Sequence, residues 1–514
     1  MSRTKNASRN ILFGTILKLY QILIPFLMRT AMINFMGAEY LGLNSLFTSI
    51  LQVLNLAELG VGSAMVYSMY KPIAEEDKTS ICALMRLYKI YYRVIGGVVL
   101  ILGLILLPFI PRLIKGSVPA DINIYILYLL NLGATVFSYW LFAYKNSILM
   151  AHQRADITSK VQLITDTIKY LVQILVLVFL HNYYYYVITI LMTQIITNVA
   201  TACCVNKLYP NYKAQGKLDN ESVKSINNRI KDLFTSKLGG VIVNSADTIV
   251  ISAFLGLTTL AIYQNYFFLL SSVSGFIIII FNSCTAGIGN SLIVETKEKN
   301  YVDFKKFNFI IAWIAGFCTI CFLCLYQPFM ELWVGKELMV MFPVVICFCI
   351  YFYLIKINGL LNLYKDAAGI WHEDRFRPLV TALVNLGMNI LLVNKWGLYG
   401  VILSTVLSTL FVGMPWLLNN LFTVVFEKKY LKEFVLTNLN YVIVTIIIAI
   451  MTYFICSLIK LPLICEIVVK LIICCVWCNI CFFVLYRKKD EFEQSIDLID
   501  KMTKRKLKFL KRIQ

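Results

Sequence analysis

Apolar residues run through this chain in long blocks, each near the roughly 20 residues that a helix needs to cross a hydrocarbon layer. Fourteen blocks can be marked, at 11–33, 41–67, 94–111, 122–144, 161–180, 186–206, 232–254, 260–285, 307–326, 338–364, 378–393, 398–423, 434–459 and 463–486. A buried core helix explains one or two such blocks, but not fourteen in series. The pattern therefore predicts an all-α, polytopic membrane protein with fourteen transmembrane helices.

Composition agrees. The 514 residues are 59% hydrophobic and only 15% charged, which excludes a disordered chain and suits an ordinary soluble protein poorly. The net charge of +20 on so apolar a chain points either to nucleic acid or to an anionic membrane surface. The position of the charges decides. Of the 48 Lys and Arg, 37 fall in the termini and alternate connecting segments, 5 in the other set and 6 inside the blocks. Basic residues concentrate on the cytoplasmic side of membrane proteins, so both termini are expected there. Because the cations are spread over eight segments and form no single patch with stacking aromatics, nucleic acid is not expected as a partner.

Met1–Asn10 is basic, but the apolar stretch behind it is too long for a signal peptide and lacks a small-residue cleavage site, so none is expected. Segments 207–231 and 487–514 place apolar residues (Phe492, Ile496, Ile499, Leu507, Leu510) at helical spacing among charges. They read as surface helices held by anionic lipid, or as a plain solvated tail. Cys475 and Cys478 make a CxxC, but inside an apolar block without a second pair, so the fifteen cysteines read as small packing residues rather than as metal ligands.

The chain also repeats itself weakly. A shift of 220 residues lays Tyr144-Lys145 on Tyr364-Lys365 and His152 on His372, in a chain with three His in all. Both sites fall where the fourth and the tenth block are expected to enter the cytoplasm. Six blocks per repeat preserve orientation, which gives a six, six and two layout. Its parts are an N-terminal lobe (1–206), a cytoplasmic linker (207–231), a C-terminal lobe (232–426), two additional helices (427–486) and a basic tail (487–514). Lys145, His152, Lys365 and His372 are candidates for a cytoplasmic gate. The plainer reading makes the histidines hydrogen-bonded helix-end residues.

Ionisable groups inside a bilayer are costly and usually face a cavity. Lys18 and Arg29 share a stripe of the first block, Asn55 and Glu58 one of the second, Lys237, Asn244 and Asp247 one of the seventh, and Lys356 lies in the tenth. Lys18, Arg29, Asn55, Glu58, Lys237 and Lys356 are therefore the candidate lining of a substrate cavity in which basic groups exceed acidic ones. Such a cavity suits an anion, with diphosphate the natural match to Lys and Arg. The competing reading is that these charges pair with each other and lock helices together.

Two local patterns carry a resemblance. Gly37-x-x-Tyr40-x-Gly42-Leu43 followed by Leu56-Ala57-Glu58-Leu59-Gly60-x-Gly62, with Glu331-Leu332-Trp333-x-Gly335 later, resembles the Wzx-type polysaccharide flippases of the multidrug/oligosaccharidyl-lipid/polysaccharide (MOP) exporter superfamily. The resemblance, over about residues 9–485, implies a two-lobe fold that exports polyprenyl-diphosphate-linked oligosaccharides by alternating access. It implies no enzymatic step and no cofactor; the bilayer, the lipid-linked oligosaccharide and other polysaccharide assembly proteins are the implied partners of a monomer. The lipid II flippases of the superfamily bind sodium. The corresponding oxygens here are those of Asp247, Asn385, Asn389, Thr405 and the Val401 carbonyl, and Asn389 stands where an acidic ligand is found in those proteins. Coupling to Na+ or, through Asp247, to H+ is thus implied.

Three alternatives make different demands. A multidrug antiporter of the same fold calls for an acidic or aromatic cavity. A membrane polymerase or glycosyltransferase calls for a large outer loop or clustered carboxylates, and the chain has neither. A nucleic-acid-binding membrane protein calls for one basic patch with stacking aromatics, which the spread of basic residues over eight segments does not provide.

Overall fold

The computed structural model describes residues 3–116 and 118–502, and every regular element among them is helical. The helices in the first half are α1 (Arg3–Phe35), α2 (Ala38–Leu54), α3 (Val61–Ala74), α4 (Lys78–Leu106), α5 (Ile124–Trp140), α6 (Asn146–Ala151), α7 (Ala155–Leu175), α8 (Tyr183–Leu208) and α9 (Asn220–Leu255). They are followed by α10 (Leu257–Val294), α11 (Lys297–Val334), α12 (Phe342–Ala367), α13 (Arg377–Ser408), α14 (Met414–Val424), α15 (Leu431–Ser457), α16 (Leu463–Ile473), α17 (Asn479–Tyr486) and α18 (Asp490–Met502).

Among the described residues twelve helical stretches are long and apolar enough to span a membrane, or thirteen if the bent pair α5 and Ala143–Ala151 is one span. Each of the fourteen apolar blocks falls on helical segments, 41–67 and 122–144 across a break, and two of them, 378–393 and 398–423, share the stretch Arg377–Val424. That stretch is interrupted at Gly397, whose φ of 55° and ψ of −135° are not helical. Long side chains such as Ile443, Ile446, Ile447 and Ile450 stand exposed along α15, as a lipid-facing surface requires.

The chain divides into two compact units, Met1–Ala261 and Ile262–Gln514. The helix that carries Lys237 and Asp247 therefore packs in the first unit, whereas the sequence reading assigned it to the second lobe. Side chains cap several helix starts: Asp77 accepts from the Ser80 amide, Asn123 from Tyr125, Asn182 from Tyr184 and Asp219 from Ser222, which satisfies amides left without intrahelical partners. The Ser80 and Ser222 hydrogen bonds hold the Asp77 and Asp219 carboxyls below the usual carboxylate range.

In the first unit, α1 runs along α7. Asn10 donates to the Gln153 carbonyl and accepts from the Asp156 amide, both at 2.9 Å, and the Tyr20 and Thr167 hydroxyls meet at 2.9 Å. Thr197 donates to Thr165 at 2.8 Å and joins α8 to α7. Polar groups of this kind tie helices together where lipid supplies no hydrophobic drive. The Gly37/Tyr40/Gly42 pattern has a packing role. Tyr40 donates to Asp121 at 2.5 Å, and a methyl group on Gly42 would overlap the Leu257 carbonyl at the start of α10.

The second unit is built on aromatic packing. Phe304 of α11 lies 4.7–5.0 Å, centroid to centroid, from Tyr364, Phe426 and Phe434. Trp313 donates to Asn479 at 2.8 Å. The tail helix α18 buries Phe492 against Phe309 and Trp313. This part of the tail thus docks on the helix bundle rather than on lipid alone. Leu507 and Leu510, and the side chains of Ile499 and Asn244, lie outside the described residues.

The Gly42 contact is testable. Gly42→Ala should destabilise the protein by about 1–3 kcal/mol, the usual cost of overpacking. A fall in the detergent-solubilised unfolding temperature would show it, and an unchanged value would contradict the contact.

Candidate functional site

The second apolar block, 41–67, is not one helix. α2 ends in a tight turn at Asn55–Glu58, and Gly60 then adopts φ 87°, a left-handed conformation that favours glycine. A side chain at Gly60 would also strike Leu233 and the Ile230 carbonyl of α9. The break ends the ladder of backbone bonds and leaves Glu58 beside a cavity. Tyr88 donates to Tyr92 at 2.6 Å, and Tyr92 donates to the Glu58 carboxylate at 2.9 Å. Lys237, exposed on α9, reaches the Ser63 hydroxyl at 3.4 Å.

These groups line a space of about 560 Å³ within the first unit, together with Tyr67, Tyr70, Asn146 and Ser147. Its chemistry is mixed: one carboxylate, one ammonium, hydroxyls and aromatic rings. Arg29 lies elsewhere in the same unit. It lines a separate cavity of about 220 Å³ with Asn44, Lys169, Gln173 and Tyr186. There Lys169 pairs with Asp166 at 2.7 Å, and the buried Gln173 Oε1 has no hydrogen-bond partner among the described residues.

The six cavity candidates thus part company. Glu58 and Lys237 share the larger cavity, and Arg29 occupies the smaller one. Lys18 is exposed on α1, and Asn55 lies three residues before Glu58 with its Oδ1 unpartnered among the described residues. Lys356 is only 3% exposed in the second unit, with its ammonium 5.2 Å from the centre of the Phe352 ring and no ion pair among the described residues.

Four of the five candidate cation ligands cluster in the second unit. Asn385 donates to Thr405 at 2.9 Å, Asn389 to Asn385 at 3.4 Å, and Ser404 bonds both Asn389 and, at 2.7 Å, the Val401 carbonyl. The fifth, Asp247, is buried in the first unit.

The histidines that match in sequence differ in surroundings. His152 bonds the Ile148 carbonyl at 2.9 Å and packs on Tyr209, 4.4 Å between centroids; burial holds its ring below the usual histidine range. His372 is exposed. Lys145 donates to Asn206 at 2.6 Å. Lys365 sits between Asp366 at 2.8 Å and Asp374 at 3.7 Å.

The sequence reading missed the two aspartates that organise these loops. Asp156 holds Arg9 at 2.7 Å and Arg154 at 2.9 Å, and Asp374 holds Arg377 at 2.6 Å. The clue was an acid beside basic residues just after each matched histidine. It missed the cavity tyrosines too. Another group outside the prediction is buried in the second unit, where the thiols of Cys324, Cys456 and Cys474 lie within 4.8 Å of one another. Cys475 of the CxxC is exposed.

A model of polysaccharide biosynthesis proteins matches residues 7–286, more than half of the chain. No curated protein sequence matches. Among solved structures the chain is similar to the lipid II flippase MurJ in an inward closed conformation (TM-score 0.63, 15% identity, 93% of this chain and 99% of that one). It is equally similar to an inward-facing multidrug resistance MATE family transporter of the MOP superfamily (TM-score 0.63, 16% identity, 81% and 99%). A MOP superfamily transporter from Pyrococcus furiosus with a binding pocket of reverse polarity also matches (TM-score 0.52, 14% identity, 83% and 96%). At these identities the likeness concerns the fold, which is that of MOP superfamily proteins.

The different settings of the two lysines predict different reactivity. A cysteine placed at Lys237 should react with a charged, water-soluble maleimide in detergent, and one placed at Lys356 should not. Peptide mass spectrometry separates these from the native cysteines, and equal labelling of both positions would contradict the cavity as drawn.

Proposed function

Because the chain belongs to the polysaccharide biosynthesis protein family, we propose that it moves polyprenyl-diphosphate-linked oligosaccharides from the inner to the outer leaflet of a bacterial plasma membrane. The observation that carries this reading is the cavity beside Glu58 and Lys237, a space of about 560 Å³ that offers a carboxylate, an ammonium and hydroxyls among membrane-spanning helices. Each unpaired hydroxyl of a sugar head costs about 4–8 kcal/mol in hydrocarbon, so unaided crossing is negligible. A polar cavity replaces water for the head while the polyprenyl tail stays in lipid. The Lys237 ammonium suits the diphosphate, and Glu58, Asn146 and Ser147 suit hydroxyls. The cargo leaves chemically unchanged, so the role is transport rather than catalysis.

The basic bias of alternate connections supports both termini being cytoplasmic. We infer further that transport is coupled to Na+ or H+. The oxygens of Asn385, Asn389, Thr405 and Val401 suit a small hard cation, and the buried Asp247 carboxyl suits a proton. Dependence of transport on a sodium gradient rather than a pH gradient, in vesicles, separates the two.

One observation favours a second reading. The tyrosines and Glu58 also make the larger cavity one that an exporter of amphiphilic cations could use. The two readings differ at Lys237, which repels a cation and holds a diphosphate.

In cells that depend on this chain for polymer export, its deletion should strand lipid-linked repeat units on the cytoplasmic leaflet. Lys237→Ala should cut export roughly 10- to 100-fold, as loss of a charged hydrogen bond does, whereas Lys237→Arg should retain most of it. Normal export by the alanine variant at wild-type protein levels would remove Lys237 from the mechanism.

A further inference from the structure

We propose that Tyr67 and Tyr70 form a stacking platform for a pyranose ring of the cargo, at the edge of the cavity that holds Glu58 and Lys237; this rests on the flippase reading above.

Both rings belong to α3, which begins just after the break at Gly60, and both stand open in the cavity, Tyr67 57% and Tyr70 47% exposed. They are not loose. Their centroids lie 6.0 Å apart at 67°, and the Arg229 guanidinium covers the Tyr67 ring at 3.9 Å. Exposed tyrosines are common at membrane interfaces, where the ring rests in lipid and the hydroxyl in water. These two instead border a concave space shared with an ammonium and a carboxylate, which lipid chains do not solvate.

A pyranose presents two kinds of surface. Its faces carry C–H groups with slight positive charge, which settle on the negative face of an aromatic ring. Its rim carries hydroxyls, each of which needs a partner once out of water. The cavity offers both. Tyr92 donates to Oε1 of the Glu58 carboxylate, and a carboxylate has further acceptor sites. Asn146 accepts from Thr158 through its Oδ1, which leaves its amide to donate. Ser147 donates to the Tyr144 carbonyl and can still accept. A bare diphosphate needs the lysine but has no use for the rings. The tyrosines therefore select a sugar, and Lys237 selects the linkage.

The test compares two lipids binding to the full chain in nanodiscs: polyprenyl diphosphate alone and the same lipid carrying one N-acetylglucosamine. The sugar-bearing lipid should bind wild-type protein roughly three- to tenfold tighter, the worth of one aromatic contact. The paired change Tyr67→Ala with Tyr70→Ala should abolish that preference, so that both lipids bind alike, and Tyr67→Phe with Tyr70→Phe should keep it. No preference in wild type, or a preference that survives in the alanine pair, overturns the platform while leaving the flippase reading in place. Failure of both lipids to bind, with tetraphenylphosphonium binding that the alanine pair loses, overturns the flippase reading as well and favours cation export.

Discussion

Every backbone amide and carbonyl of a chain in hydrocarbon needs a partner within the protein, because no water is there to supply one. The rest of the structure follows from that demand. It makes the described elements helical from end to end, and it makes any interruption costly unless the freed groups find partners or water. The breaks are therefore informative. At Gly60 the interrupted helix borders the cavity of about 560 Å³. At Gly397 the interruption lies between the segments carrying Asn385 and Asn389 on one side and Val401, Ser404 and Thr405 on the other, and a return of the chain there brings these groups within hydrogen-bonding distance.

The same solvent governs the polar side chains. Where they face other helices they bond in pairs, as with Thr165 and Thr197 or Trp313 and Asn479. Where charges cluster near the ends of helices, a buried aspartate gathers the neighbouring cations. Asp156 and Asp374 do this in corresponding loops of the two units. That is a structural use of charge, and it explains many of the basic residues without any ligand. Other polar groups stand open to cavities instead: Lys237, Glu58 and the tyrosines beside them in one, Arg29 in another.

Much of the architecture was legible because hydropathy acts locally: a run of some 20 apolar residues is helical in a membrane whatever its neighbours do. The all-α polytopic fold was readable for that reason, and the superfamily resemblance from short local patterns such as Gly37-x-x-Tyr40-x-Gly42. The candidate site was less so. Glu58 and Lys237 were singled out as charges in the wrong solvent, which is also a local property. That they share a cavity while Arg29 occupies another depends on how α2, α3 and α9 cross. Four tyrosines of the cavity were hidden among thirty in the chain, since residue type alone does not mark which side of a helix meets a cavity. His152 and His372 match in sequence, yet one is packed on tyrosine and the other is exposed.

The order of residues alone marks which segments are long and apolar enough to cross a membrane, and where basic residues gather between them. Each of these depends on the free energy of moving a short segment between water and lipid, and that sum needs no knowledge of contacts. Only the tertiary structure decided which polar groups are consumed in holding helices together and which are left facing a cavity. Partnership of that kind depends on distances of a few ångströms between residues far apart in the chain, and helix packing alone sets those distances.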